Sequence, residues 1–262
     1  MGRVLAQGLL RAGWAAADLV LAEQMAEAAT EARQSTGLTV LLDPASAVAG
    51  RDVIVIAVKP NDVGHLLGQI VGAVTTDQIV VSLAAGVPIS VYEDVLDGVP
   101  VVRSMPNTPA AVGEAMTAFC GGAFADEATL AVASSVLAAI GQTVHLDENL
   151  LDAVTAVSGS GPAYVFLLAE ALTEAAIREG LPMVAAEQLV RQTLFGSSLL
   201  LSQSDKTASE LRAQVTSPGG TTAAAIGVFE TGDFKALVAS AVQSAARRSR
   251  ELGEAAGSGE AG

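Results

Sequence analysis

The sequence predicts an α/β domain built on a mostly parallel sheet, followed by an all-helical domain. Three features of the chain predict it. Residues 1–147 alternate short apolar, β-branched runs with amphipathic stretches. After the run at 143–146 the strand signals stop. From Glu148 to Leu252 the apolar pattern is helical throughout. Runs that are apolar on both faces and separated by helices belong to parallel sheets covered on both sides.

In chain order, 2–12 reads as a helix ended by Gly13, and 19–22 as the first strand. Further strands are expected at 40–42, 53–58, 79–83, 99–103, 116–120 and 143–146. Amphipathic stretches at 62–74, 90–96 and 127–140 fill the intervals as helices. The second half gives helices at 150–157, 162–179, 184–203, 207–215, Thr221–Thr231 and 234–252. Gly180-Leu181-Pro182 is a helix stop followed by a new start. The stretch 162–179 carries Tyr164, Val165, Phe166, Leu167, Leu168, Leu172 and Ile177 with little polar face. Such a helix is central to a bundle or buried between subunits. Residues 253–262 are Gly, Ala, Ser and Glu, and are expected to form a disordered tail. The expected domains are therefore 1–147 and 148–252.

Composition narrows the function classes. A chain of 262 residues can bury a sizeable core. It is 51% hydrophobic, yet no segment reads as a membrane span. The runs at 53–58 and 79–83 fall far short of the ~20 apolar residues that a crossing helix needs. The opening Met1-Gly2-Arg3-Val4 lacks secretory features, and Ala6 stands where myristoylation requires Ser or Thr. The net charge of −14 argues against nucleic-acid binding and requires any anion site to be built locally. Cys120 is the one cysteine, so no internal disulfide or cysteine zinc cluster forms, and a reduced cytoplasmic setting is expected. Cys120 itself reads as a small buried apolar residue.

The first helix and strand look like the second half of a dinucleotide-binding strand–turn–helix–strand unit. In the complete unit a Gly-rich turn lays the pyrophosphate on the helix N-terminus. Gly2 stands where the last glycine of G-x-G-x-x-G belongs; the first strand and the other two glycines are absent. A start codon placed too far downstream, or a truncated protein, would each produce this. Glu23 follows at the end of a strand, about 20 positions after Gly2, where an acid accepts from the ribose 2′-OH of NAD and repels the 2′-phosphate of NADP. A solvated strand-end Glu is the plain alternative.

Other strand ends add candidates. The run at 53–58 ends in Val58-Lys59-Pro60, in a chain with only three lysines. A cation at the carboxyl end of a parallel strand can meet a phosphate or ribose. Ser82-Leu83-Ala84-Ala85-Gly86 offers small residues for the close approach of a flat ring. Arg103-Ser104-Met105-Pro106-Asn107-Thr108-Pro109 is a polar loop stiffened by two prolines, able to present Asn107 to a nicotinamide or to serve as a plain turn.

In the helical half, Thr216-Ser217-Pro218-Gly219-Gly220-Thr221-Thr222 combines paired glycines, three flanking hydroxyls and the start of a helix. Free N–H groups and hydroxyls there make a carboxylate trap without any cation; an ordinary Ser/Thr helix cap is the bland alternative. Ser158-Gly159-Ser160-Gly161-Pro162 reads as structural, its glycines permitting close packing.

Val58-Lys59-Pro60, the 103–109 segment, Ser158-Gly159-Ser160-Gly161-Pro162-Ala163-Tyr164 and Val215-Thr216-Ser217-Pro218-Gly219-Gly220-Thr221-Thr222 occur in this order. The chain then closes on Phe234, Ala245-Ala246, Arg248-Ser249 and Glu251-Leu252. With these motifs it resembles the pyrroline-5-carboxylate reductases over nearly its whole length. The resemblance implies a Rossmann-like domain followed by a helical dimerisation domain, with dimers assembling into decamers. It implies hydride transfer from NADPH or NADH to L-1-pyrroline-5-carboxylate, giving L-proline. It assigns the substrate carboxylate to Ser217, Gly219, Gly220, Thr221 and Thr222, with the Thr222 hydroxyl also meeting the ring nitrogen as the catalytic contact. Ala57, Val58, Lys59, Pro60 and Ala85 would line the cofactor, and Glu148 is similar to an acid near the active site. As a helix-start charge Glu148 also suits the dipole. Pro44 departs from the family, which often has an Asn at the adenosine end.

Two rivals stay open at this point. One is a truncated, non-catalytic homologue. The other is a β-hydroxyacid dehydrogenase-like oxidoreductase, whose alcohol substrate needs a general base. That base would be a lysine on the first long helix of the second domain, and no lysine occurs between Lys59 and Lys206.

Overall fold

The computed structural model describes residues 1–258. Two compact units are present. The first comprises residues 1–160 and the stretch from Ser244 onward; the second is Gly161–Gln243.

The first unit opens with α1 (Gly2–Arg11), β1 (Val20–Ala22), α2 (Ala26–Thr36), β2 (Thr39–Leu41) and α3 (Pro44–Val48). Then come β3 (Val53–Ile56), α4 (Val63–Ile70), β4 (Ile79–Ser82), α5 (Ile89–Glu93) and β5 (Val101–Met105). β6 (Ala115–Gly121), α6 (Glu127–Leu137), β7 (Gly141–His145) and α7 (Leu151–Val154) complete it, α7 running into a π-helical turn at Thr155–Gly159. β3, β4 and β5 pair in parallel; β6 runs antiparallel to β5 and parallel to β7. β1 and β2 form a separate parallel pair. In a doubly wound sheet the strand preceding α1 lies between the equivalents of β1 and β3. The described chain has no strand there, and the sheet divides at that point.

Strand alternation sorts the core into two layers. Ile54, Ile56, Val80, Val101, Ala118 and Cys120 face one side, where Val63, Leu67 and Ile70 of α4 and Tyr92 of α5 cover them. Val81, Val102 and Phe119 face the other, under Leu5 and Leu9 of α1 and Ala133, Val136 and Leu137 of α6. Gly8 lets α1 settle closely: a Cβ there would lie 2.6 Å from the Ala139 carbonyl oxygen and from Ile140 Cγ2.

The second unit contains α8 (Gly161–Arg178), α9 (Met183–Gln203), α10 (Ala208–Gln214) and α11 (Thr221–Thr231), with the first part of α12 (Phe234–Ser258). A capping box between Thr207 and Glu210 starts α10. Among the described residues of this unit, only Ala186 and Val190 are buried hydrophobics, while Phe166, Leu167, Val184, Phe195 and Leu237 are exposed. A bundle this bare in isolation needs a partner to cover it.

The compact units divide after Ser160, inside the stretch assigned to the second domain, because Leu151 is buried in the first unit's core and Asp152 accepts from Ser249 of α12 at 2.6 Å. In three places the structure departs from the sequence expectations. α12 continues to Ser258, so 253–258 are helical where a disordered tail was expected; 259–262 lie outside the described residues. α3 was not anticipated; Asp43 caps it through the Ala45 and Ser46 amides, with Pro44 in its first turn. Finally, the helical stretch 148–178 is long and apolar enough to cross a membrane by length and composition, where no such segment was expected.

Candidate active site

In the first unit, the carboxyl ends of the parallel strands collect most of the predicted cofactor residues. Gly2 lies at the start of α1 directly against Ala57, just past β3: a Cβ on Gly2 would stand 3.0 Å from the Ala57 Cβ. No side chain caps α1, whose N-cap is Met1, so its first-turn amides have neither an intrahelical acceptor nor a capping group. Ala57 and Lys59 are exposed, and Val58 and Pro60 are half-buried beside them. Pro60 opens a 3-10 turn, Pro60–Asp62, which carries the chain away from the strand end. Ala85 is exposed at the end of β4, and Gly86 holds a left-handed φ of 78°. Glu23 is half-buried at the end of β1. Its amide donates to the Leu41 carbonyl at 3.0 Å as a last rung of the β1–β2 pair.

A buried network fixes the β4 end. The Ser82 hydroxyl meets the Tyr92 hydroxyl at 2.6 Å and accepts from the Ala84 amide at 3.1 Å. Ser104 donates to the Ser82 carbonyl at 2.7 Å. Burial pushes the Tyr92 phenol up to about 12, so it stays neutral. Tyr92 did not stand out in the sequence, and Ser82 was read only as one of the small residues at a strand end. A hydroxyl inside an apolar strand was the available signal.

Asn107 and Glu148 are more firmly engaged than expected. The Asn107 carboxamide accepts from the Met116 amide at 3.0 Å and donates to the Ser158 carbonyl and hydroxyl at 3.2 and 3.3 Å. The carboxamide therefore braces the loop from both its oxygen and its nitrogen. Gly159 packs closely in the same region, where a Cβ would come within 2.6 Å of Met105 Cε, so that Gly/Ser segment is structural as read. Glu148 Oε1 accepts from Arg103 and from the Ile89 amide, both at 2.9 Å. The carboxylate thus neutralises a guanidinium inside the sheet end and satisfies an orphan donor of the α5 first turn.

The reading of Cys120 holds. Cys120 is buried, and burial, reinforced by the charge of Glu148, pushes its thiol up to about 12; it is no thiolate nucleophile. His145 packs its ring on Phe119 at 5.4 Å.

In the second unit, Ser217-Pro218-Gly219-Gly220 forms a tight turn. The Gly220 amide donates to the Ser217 carbonyl at 3.0 Å, and Gly219 holds φ at 73°. Proline second and a left-handed glycine third are what a type II turn demands. Ser217 Oγ rests on Gly220, where a Cβ would lie 2.6 Å away. Gly220 is the N-cap of α11 and brings no side-chain cap, so the Ser/Thr cap alternative is not realised. The turn instead leaves the bare first-turn amides of α11 among the hydroxyls of Ser217, Thr221 and Thr222.

Known proteins match these features. Residues 148–252 match the family described as pyrroline-5-carboxylate reductase dimerisation. Residues 1–86 match the family described as NADP oxidoreductase, coenzyme F420-dependent. The pyrroline-5-carboxylate reductase of Mycobacterium tuberculosis is 41% identical, over 96% of this chain and 93% of its own length. That of Methanosarcina acetivorans is 37% identical, over 97% and 95%. The pyrroline-5-carboxylate reductase structure from Coxiella burnetii superposes with a TM-score of 0.91 at 32% identity, covering 96% of this chain and 94% of that one. The Plasmodium falciparum enzyme, solved with NADP bound, gives 0.84 at 29%, over 97% and 94%. On this similarity, end to end and in both halves, the chain belongs to the pyrroline-5-carboxylate reductase family.

Proposed function

We propose that this chain reduces L-1-pyrroline-5-carboxylate to L-proline with NADPH or NADH, the last step of proline synthesis, as a cytoplasmic homodimer joined through its helical domain. The observation that carries the reading is the 217–222 turn: bare helix amides and three hydroxyls, without a cation, suited to an anionic ring. The residues also suit a dinucleotide, since the Gly2–Ala57 cradle is one that a larger side chain would fill. In this reading Gly2, Ala57, Val58, Lys59, Pro60 and Ala85 border the cofactor. Asn107 acts by holding its loop.

When bound, the reduced nicotinamide supplies a hydride to C5 of the cyclic imine. The chain supplies position. Ser217, Gly219, Gly220 and Thr221 hold the carboxylate, and Thr222 holds the ring nitrogen, which takes up a proton as the C=N bond becomes C–N. Catalysis is then chiefly proximity and orientation. The alcohol-oxidising alternative would need a base on α8, which carries no lysine.

The test is oxidation of NADH and of NADPH with the cyclic imine as substrate. Thr222→Ala is expected to lower kcat/KM roughly 10- to 100-fold, while Cys120→Ala and His145→Ala stay within about twofold. No turnover by the wild-type chain, or equal losses in all three variants, overturns the reading.

A further inference from the structure

We infer that the last turns of α12 are a positioning element for the cofactor: Ser249 and Gly253 hold the Ala85-Gly86 turn in the shape that receives the dinucleotide. The inference rests on the dinucleotide reading above, in which Ala85 borders the cofactor, and adds residues that act through that turn.

The turn is pinned to the core at both ends. The Leu83 amide donates to the Ile56 carbonyl at 2.8 Å, and the Ala84 amide donates to the Ser82 hydroxyl at 3.1 Å. Val87 is buried where the chain returns to the core. Between these anchors Ala85 is exposed, and Gly86 takes a left-handed φ of 78°. A glycine at the crest has more backbone freedom than any other residue, so the crest needs a restraint from outside the core.

The end of α12 supplies it. From Ser244 onward this helix belongs to the first unit. Ala245, Ser249 and Gly253 follow at a spacing of four and share one face, with Ser249 buried and the other two half-buried. The Ser249 hydroxyl donates to the Asp152 carboxylate at 2.6 Å, across 97 positions of sequence. That bond fixes the register of α12 on the first unit. One turn further on, Gly253 lies against Gly86: a Cβ on Gly253 would stand 2.9 Å from the Gly86 carbonyl oxygen. The two glycines bring backbone against backbone. Gly253 is interior to a helix that continues to Ser258, where glycine is a poor choice for the helix itself. Its value at that position is the close approach. Released from this seat, the crest samples shapes that do not receive the nucleotide, and the apparent dissociation constant rises by the inverse of the competent fraction.

The experiment is calorimetric titration of the full chain with NADH and, separately, NADPH, at a temperature where circular dichroism shows every variant folded. Gly253→Ala improves the helix while pushing on the Gly86 carbonyl. It is expected to raise the dissociation constants of both nucleotides roughly three- to tenfold. Ser249→Ala and Asp152→Ala are expected to weaken binding to a similar degree. Asp152→Asn, which keeps an acceptor for the Ser249 hydroxyl, should recover most of it. A purely structural role would lower Tm in Ser249→Ala and leave nucleotide binding unmoved. Dissociation constants equal to wild type in both Ser249→Ala and Gly253→Ala therefore overturn the inference, whatever their melting. Failure of the wild-type chain to bind either nucleotide overturns the dinucleotide reading beneath it, and this inference with it.

Discussion

Glu148 offers the sharpest discrimination between a structural and a substrate-holding role. Its partner Arg103 keeps only 10% side-chain exposure, while Glu148 keeps 37%. One carboxylate oxygen serves both Arg103 and the Ile89 amide. Glu148→Ala strands a guanidinium in the sheet end. Breaking a fully buried pair costs about 3–5 kcal/mol, and water reaching the exposed side of Glu148 reduces that to about 2–3 kcal/mol. For a chain of this size each kcal/mol is worth roughly 2–4 °C, so Tm should fall by roughly 5–10 °C. Glu148→Gln keeps a carbonyl for both donors and loses only the charge, for about 1 kcal/mol. Calorimetric melting of both variants, paired with KM for the cyclic imine, makes the test. A brace predicts graded losses in Tm with KM nearly unchanged in Glu148→Gln. An unchanged Tm in Glu148→Ala with a raised KM would refute it and return Glu148 to the substrate.

Three further outcomes follow from packing and burial. Gly141 starts β7 at φ 150°, where any Cβ would collide with the Ala115 backbone, so Gly141→Ala should cost roughly 3–5 kcal/mol in urea unfolding; a loss below about 1 kcal/mol contradicts the close approach. The Cys120 thiol is raised from 9.0 to about 12, so the folded chain holds that proton more tightly than the unfolded one. Its contribution is complete below pH 9 and drains as pH climbs toward 12, and Tyr92 behaves likewise above pH 10. Melting from pH 8 to 11 should therefore fall later in Cys120→Ala, and thiol reagents should label the wild-type chain only as it unfolds; rapid native labelling speaks against burial. Leu167, 65% exposed on α8, is expected to be covered in the dimer. Leu167→Asp should weaken association by roughly 10²- to 10⁴-fold, counting the lost burial in both copies; an unchanged sedimenting species excludes α8 from the interface.

Periodicity exposed what depends on single strands and helices, and little that depends on their partners. The β-branched run from Val53 was legible as a strand because alternate residues feed two core layers. Its end at Ile56 was not, since the ladder stops where Ser82 ends β4, a property of the pair. The same limit hid the direction of β6, because alternation is identical in parallel and antiparallel strands. The stretch 150–157 read correctly as helical, yet its packing in the first unit is set by the burial of Leu151 and Ala156 and by Asp152 meeting Ser249 far along the chain. The 217–222 turn was readable because Pro218 and Gly219 have only a few backbone options. The bonds of Asn107 were illegible for the opposite reason: an amide in a polar loop looks outward until Met116 and Ser158 are placed beside it.

The charge balance links the two halves of the chemistry. A chain at −14 repels a carboxylate substrate and a pyrophosphate alike, and Arg103, a cation at the sheet's carboxyl edge, is already neutralised by Glu148. Backbone amides resolve the conflict. They add no titratable group, are not paired away by the many surface carboxylates, and act within hydrogen-bond range, where long-range repulsion matters less than local dipoles. Both candidate anion sites, at the starts of α1 and α11, are of this kind, and neither helix spends a side chain on its own cap. The surrounding negative field then serves as a filter. It weakens every anion that does not reach those amides.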